Sequence, residues 1–70
     1  MITLTQTFKL LSLNDYDIIY IQKENTSKYD YEIYTPKQIR EQFDMKNTMV
    51  VKIDPKFSEY DFKGFLLTIR

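Results

Sequence analysis

The chain has no histidine and no cysteine, so any proton transfer or nucleophilic attack falls to a carboxylate, a lysine or a tyrosine. Such a group works near neutral pH only with a strongly shifted pKa, and 70 residues leave little interior in which to shift one. The best oxygen-only constellation sets Asp15 and Asp17 with Asp54 or Glu59 around a magnesium ion. The same residues have ordinary structural uses, because Asn14-Asp15 suits a turn and Asp54-Pro55 suits a strand end. A single glycine excludes a glycine-rich phosphate loop, and no serine is set beside a base suited to activate it. The residues therefore point to a non-enzymatic protein with no cofactor and no metal.

Recognition chemistry is better represented. Four of the six tyrosines lie against carboxylates, in Asp15-Tyr16-Asp17, Tyr29-Asp30-Tyr31-Glu32 and Glu59-Tyr60-Asp61, and these stretches hold six of the ten acids. Tyrosine offers rigid contact area with a hydrogen-bonding tip, and neighbouring carboxylates accept the forked donors of arginine. Tyr16, Asp17, Tyr29, Asp30, Tyr31, Glu32, Glu59, Tyr60 and Asp61 are thus the candidate partner-binding residues. Tyrosine is also common in ordinary strands, where charged neighbours keep exposed positions soluble. Two of the three stretches fall in expected loops, where an exposed aromatic has no core to fill. Tyr20 and Tyr34 have apolar neighbours and read as packing residues.

Composition narrows the partner. Ten basic and ten acidic side chains give zero net charge, which argues against affinity built on neutralising phosphates. No apolar run approaches the roughly 20 residues of a membrane-spanning helix. No basic segment followed by an apolar run opens the chain, so a cytoplasmic location is expected. One domain over residues 1–70 supplies a core worth roughly 3–5 kcal/mol, and without disulfides or zinc a second copy is a natural reinforcement.

The elements that must position these residues are legible in outline. Asp17 to Gln22 is nearly continuously apolar and β-branched, Lys23 to Lys28 is polar, and Tyr31 to Tyr34 alternates, which predicts an antiparallel pair at the sheet's centre. Thr35-Pro36-Lys37-Gln38 combines an N-cap threonine, proline at the first helical position and glutamine three residues after the cap. A helix of two to three turns is predicted from Pro36, burying Ile39 and Phe43 and ending by Asn47. A half-buried strand over Met49 to Ile53, ended by Pro55, an exposed connection over residues 55–63 and a last strand over Gly64 to Ile69 complete the order. Residues 2–13 fit both a strand and a helix, and the spacing of Thr3 and Gln6 as a capping box favours the helix; the strand reading makes residues 2–22 a hairpin. The fold class is α+β: an antiparallel or mixed sheet of about four strands, covered by one or two short helices.

Lys63-Gly64-Phe65 matches the opening of an RNA-recognition signature, but Leu66, Leu67 and Ile69 follow where further aromatics belong. A glycine admitting a close backbone approach explains the triplet better. Two further readings stand beside the acidic surface. In one, a strand edge over Phe65 to Ile69 pairs with its copy in a homo-oligomeric scaffold. In the other, Lys56, Phe57, Phe62 and Lys63 form a weak platform for single-stranded nucleic acid.

Alanine and tryptophan are absent while Lys, Asn, Ile, Tyr and Phe abound, a vocabulary of AT-rich DNA. In this vocabulary, its size and its order of a short apolar start, hairpin, Thr-Pro-capped helix and two strands, the chain resembles small early proteins of phages and mobile elements. That resemblance implies an anti-defence inhibitor of the anti-CRISPR kind. The expected partner is a basic surface of a host nuclease or related complex.

Overall fold

A computed structural model describes residues 1–26, 30–59 and 62–70, and of residues 56–59 and 62–63 the backbone alone. The N-terminus settles as a helix. Thr3 closes a reciprocal capping box with Gln6, its hydroxyl accepting from the Gln6 N–H at 3.2 Å while its own N–H donates to Gln6 Oε1 at 2.9 Å. Helix α1 (Leu4–Leu11) follows, burying Leu4, Thr7 and Phe8 at the i, i+3, i+4 spacing of one face. Its other free N–H groups are met by carbonyls, Leu4 donating to Thr48 and Thr5 to Met45. The Thr7 hydroxyl donates back to the Thr3 carbonyl at 2.9 Å, so its burial leaves no unmet donor. Only Ile2–Thr3 remains as strand β1, so the hairpin over residues 2–22 does not form.

Strand β2 (Ile19–Lys23) pairs antiparallel with β3 (Tyr31–Tyr34), as the alternation predicts. Helix α2 (Pro36–Gln42) carries the same capping box at Thr35 and Gln38, with Pro36 at its start. It stops at Gln42 instead of reaching Asn47. Phe43 turns extended, and Asp44 begins a separate turn by accepting the Asn47 N–H at 3.2 Å and the Asn47 side-chain amide at 2.9 Å.

Strands β4 (Met49–Glu59) and β5 (Phe62–Ile69) are longer than expected and replace the exposed connection over residues 55–63. Pro55 does not end β4, because the register slips between Asp54 and Phe57 and proline is tolerated where a ladder bulges. A second slip, between Val50 and Lys52, lies near the strand's start.

The sheet is mixed, in the order β1-β4-β5-β2-β3, with β2 and β5 parallel and every other pair antiparallel. The fold is thus α+β, with five strands and two short helices among the described residues. Its centre is β5, not the β2–β3 hairpin, and β3 is an edge. Both helices pack on one face, where Leu4, Phe8 and Ile39 meet Ile19, Ile21, Val50, Leu67 and Ile69. On the other face Tyr20 is 1% exposed, its ring edge-on to Tyr31 at 5.4 Å, and Gln22 donates to the Thr68 hydroxyl at 3.0 Å. Gly64 sits where a Cβ would stand 2.2 Å from the Ile18 carbonyl oxygen, so the glycine serves close approach.

Candidate protein-binding surface

The topology divides the described residues of the three tyrosine and acid stretches between two ends of the sheet. Because β2 and β5 run parallel with Ile19 opposite Phe65, the loop before β2 lies at the same end as the start of β5. That end therefore holds Asp15, Tyr16 and Asp17 together with the Glu59–Phe62 end of the β4–β5 hairpin. Asp30 precedes Tyr31, which pairs with Gln22, and so stands at the far end of β2. The four steps along the five residues of β2 separate the two ends by about 13 Å, at about 3.3 Å per step. Asp30 therefore does not share an end of the sheet with Asp15, Tyr16 and Asp17.

At the first end Tyr16 is 77% exposed. Asp15 is engaged with Arg40 Nη1 at 2.7 Å, and Asp17 accepts the Asn14 N–H at 2.8 Å, closing the loop's own turn. Tyr60 and Asp61 lie outside the described residues, as does the side chain of Glu59. Among the described residues no three carboxylates gather as a metal ion would require.

At the second end the stretch splits by strand alternation. Tyr31 turns to the Tyr20 face, whereas Glu32 and Tyr34 share the helix-bearing face with Phe43. Tyr29 lies outside the described residues. Tyr34 donates its hydroxyl to Glu32 Oε2 at 2.6 Å, and its ring meets Phe43 edge-on at 5.2 Å. The bond to the carboxylate holds the Tyr34 pKa above its ordinary value. These side chains border a groove of about 260 Å³ that the helices leave uncovered. Its floor is apolar, from Ile21, Ile69 and Phe43, and Asp30, Glu32 and Lys23 stand at its rim.

Sequence reasoning found Asp30 and Glu32 but missed the floor, which comes from three elements distant in the chain. The available signal was the i, i+2 spacing of Glu32 and Tyr34, which places them on one face of a strand. A second depression, of about 370 Å³, lies between the helices. Arg40 spans it, packed 5.2 Å over the Phe8 ring and bonded to Asp15, so that cation is already engaged.

One other expectation fails on position. Phe65 to Ile69 cannot pair with a copy, because β5 already has β4 on one side and β2 on the other. Phe65 of the Lys63-Gly64-Phe65 triplet packs against the core under the helices, so it offers no base-stacking platform. Lys56, Phe57, Phe62 and Lys63 have described backbones only, all in the β4–β5 hairpin.

The resolved shifts move groups away from neutral pH. Arg70 lowers the Glu24 carboxyl through a 3.0 Å bond, and Asn47 lowers that of Asp44, while Tyr34 is raised. Among the described residues no helix is long and apolar enough to cross a membrane. Comparison with family models, curated proteins and solved structures finds no match.

Proposed function

We propose that this chain is a cytoplasmic, non-enzymatic binding protein that docks an acidic, tyrosine-bearing surface on a basic, nucleic-acid-handling surface of a host protein and thereby inhibits it. The observation that carries this reading is the placement of Asp30 and Glu32 at the edge strand β3, beside a groove that Ile21, Phe43 and Ile69 also line. Carboxylates rimming apolar surface match arginine and lysine, whose charged heads end apolar stems. A nuclease surface shaped to hold phosphates presents such side chains, and carboxylates stand in for the phosphates. The inhibitory role and the phage or anti-defence setting come from the resemblance in size, vocabulary and element order.

The test is capture from a bacterial lysate with nuclease treatment, at low and high salt, using the parent chain and a variant with Asp30→Asn, Glu32→Gln, Glu59→Gln and Asp61→Asn. A nucleic-acid-processing protein should be recovered independently of nuclease. It should be lost in the variant and weakened by salt, and the parent chain should inhibit its activity. Equal recovery by the folded variant would sink the reading.

A further inference from the structure

We infer that β3 accepts an extended basic segment of the partner as a sixth strand, and that an arginine of this segment lays its stem in the groove and its guanidinium at Glu32. This rests on the acidic-surface reading and specifies how that surface binds. β3 is the last strand of its side of the sheet, and among the described residues no strand pairs with its outer edge. Unpaired edges are templates for strand addition, and natural proteins commonly block them with lysine or proline. Tyr31-Glu32-Ile33-Tyr34 has neither, and its one charge, Glu32, guards against an acidic strand but not a basic one. Ile33 is 56% exposed on the face away from the helices, where an added strand would set an apolar neighbour beside it.

The groove matches one long cationic side chain. At about 260 Å³ it falls below the roughly 300–1,000 Å³ usual for small-molecule sites. Ile21, Ile69 and Phe43 suit the methylene stem, and Asp30 and Glu32 outnumber Lys23 at the rim, so the local charge favours a cation. The bond from the Tyr34 hydroxyl at 2.6 Å holds the Glu32 carboxylate at the groove. Residues opposite one another in a strand pair share a face, so an arginine opposite Glu32 or Tyr34 projects to the groove side. A second copy of the chain is disfavoured by the same carboxylate. Antiparallel pairing of two β3 edges sets the two Glu32 side chains on one face, opposite or within roughly 7–8 Å.

The test titrates ¹⁵N-labelled protein with the blocked peptide Thr-Val-Arg-Val-Thr, with its citrulline analogue, and with two analogues N-methylated at arginine or at both valines. Shifts should concentrate at residues 30–34 and around Ile21, Phe43 and Ile69. Affinity should fall roughly tenfold or more with citrulline, or with a Glu32→Gln chain that melts like the parent. One N-methylated analogue should bind and the other fail, because only one edge of the peptide pairs. No shifts at millimolar peptide, equal affinity for citrulline, or equal binding of both N-methylated analogues would overturn the proposal. So would sedimentation showing a dimer through β3 that the peptide leaves intact. If acid-dependent capture succeeds in the lysate while the peptide fails, the acidic-surface reading stands and strand addition is overturned.

Discussion

The Ile18 carbonyl oxygen lies so close to Gly64 that a Cβ built there would stand 2.2 Å away, with the Tyr20 ring at 3.3 Å. The glycine has no positive φ, so space and not backbone freedom requires it. This approach brings the loop before β2 against the start of β5 and fixes which loops share an end of the sheet. Gly64→Ala should destabilise by about 1–3 kcal/mol, the usual range for overpacking, because the atom in the way is backbone. Urea unfolding of the variant checks it; an unchanged midpoint would mean that the two strands separate freely.

Both helices depend on reciprocal threonine and glutamine caps rather than on length, since neither exceeds eight residues. Thr3→Ala and Thr35→Ala should each cost about 0.5–2 kcal/mol. Because the caps serve different helices, the double variant should lose nearly the sum in thermal unfolding.

These caps were also the most legible part of the sequence, because the signal lies within four residues. The β2–β3 hairpin was legible for a similar reason, through alternation across a polar loop. The pairing of β2 with β5 was not, since Ile19 and Phe65 are distant in the chain and nothing local states that they meet. Pro55 misled because the break it favours in a regular ladder is absorbed by a slip in register. The candidate site shows the same division. Glu32 stood out by type and neighbours, while Phe43 and Ile69 became groove floor only through helix placement and strand order.

Stability should decline on acidification partly through Glu24 and Asp44. Bonds to Arg70 and to Asn47 lower their pKa values from the ordinary 4.5 and 3.8. The unfolded chain then takes up these protons first. The contribution is complete above about pH 4.5 and is lost as pH falls through the lower folded values. Asp44 is exposed and Glu24 half-buried at the surface, so the effect is small. Glu24→Gln with Asp44→Asn should give a shallower fall in urea midpoint from pH 6 to pH 3 than the parent; parallel curves would refute it.

At alkaline pH the sign reverses for Tyr34, whose bond to Glu32 raises its pKa above the ordinary 10.0. Its contribution persists below that value and is lost as pH rises through the folded pKa. Subtracting the ultraviolet titration of a Tyr34→Phe chain from the parent's should leave one phenol ionising above pH 10. A difference curve centred at the ordinary value would show that the bond does not persist in solution.

The separation of the acidic stretches makes the sharpest binding prediction. A standard interface covers about 800 Å² per partner, about a sixth of the 4985 Å² surface of this chain. A round contact of that size is about 32 Å across and spans both ends, so centred on β3 it leaves Tyr16 toward its rim, where truncation costs little. Asp30→Asn with Glu32→Gln should therefore weaken partner binding at least tenfold and flatten its salt dependence. Tyr16→Ala with Asp17→Asn, at the other end, should change affinity less than threefold once its fold is confirmed by melting. Calorimetric titrations of both variants against the captured partner decide between the ends. If the loop variant loses affinity and the β3 variant retains it, the working surface is the end where the loop before β2 meets the β4–β5 hairpin.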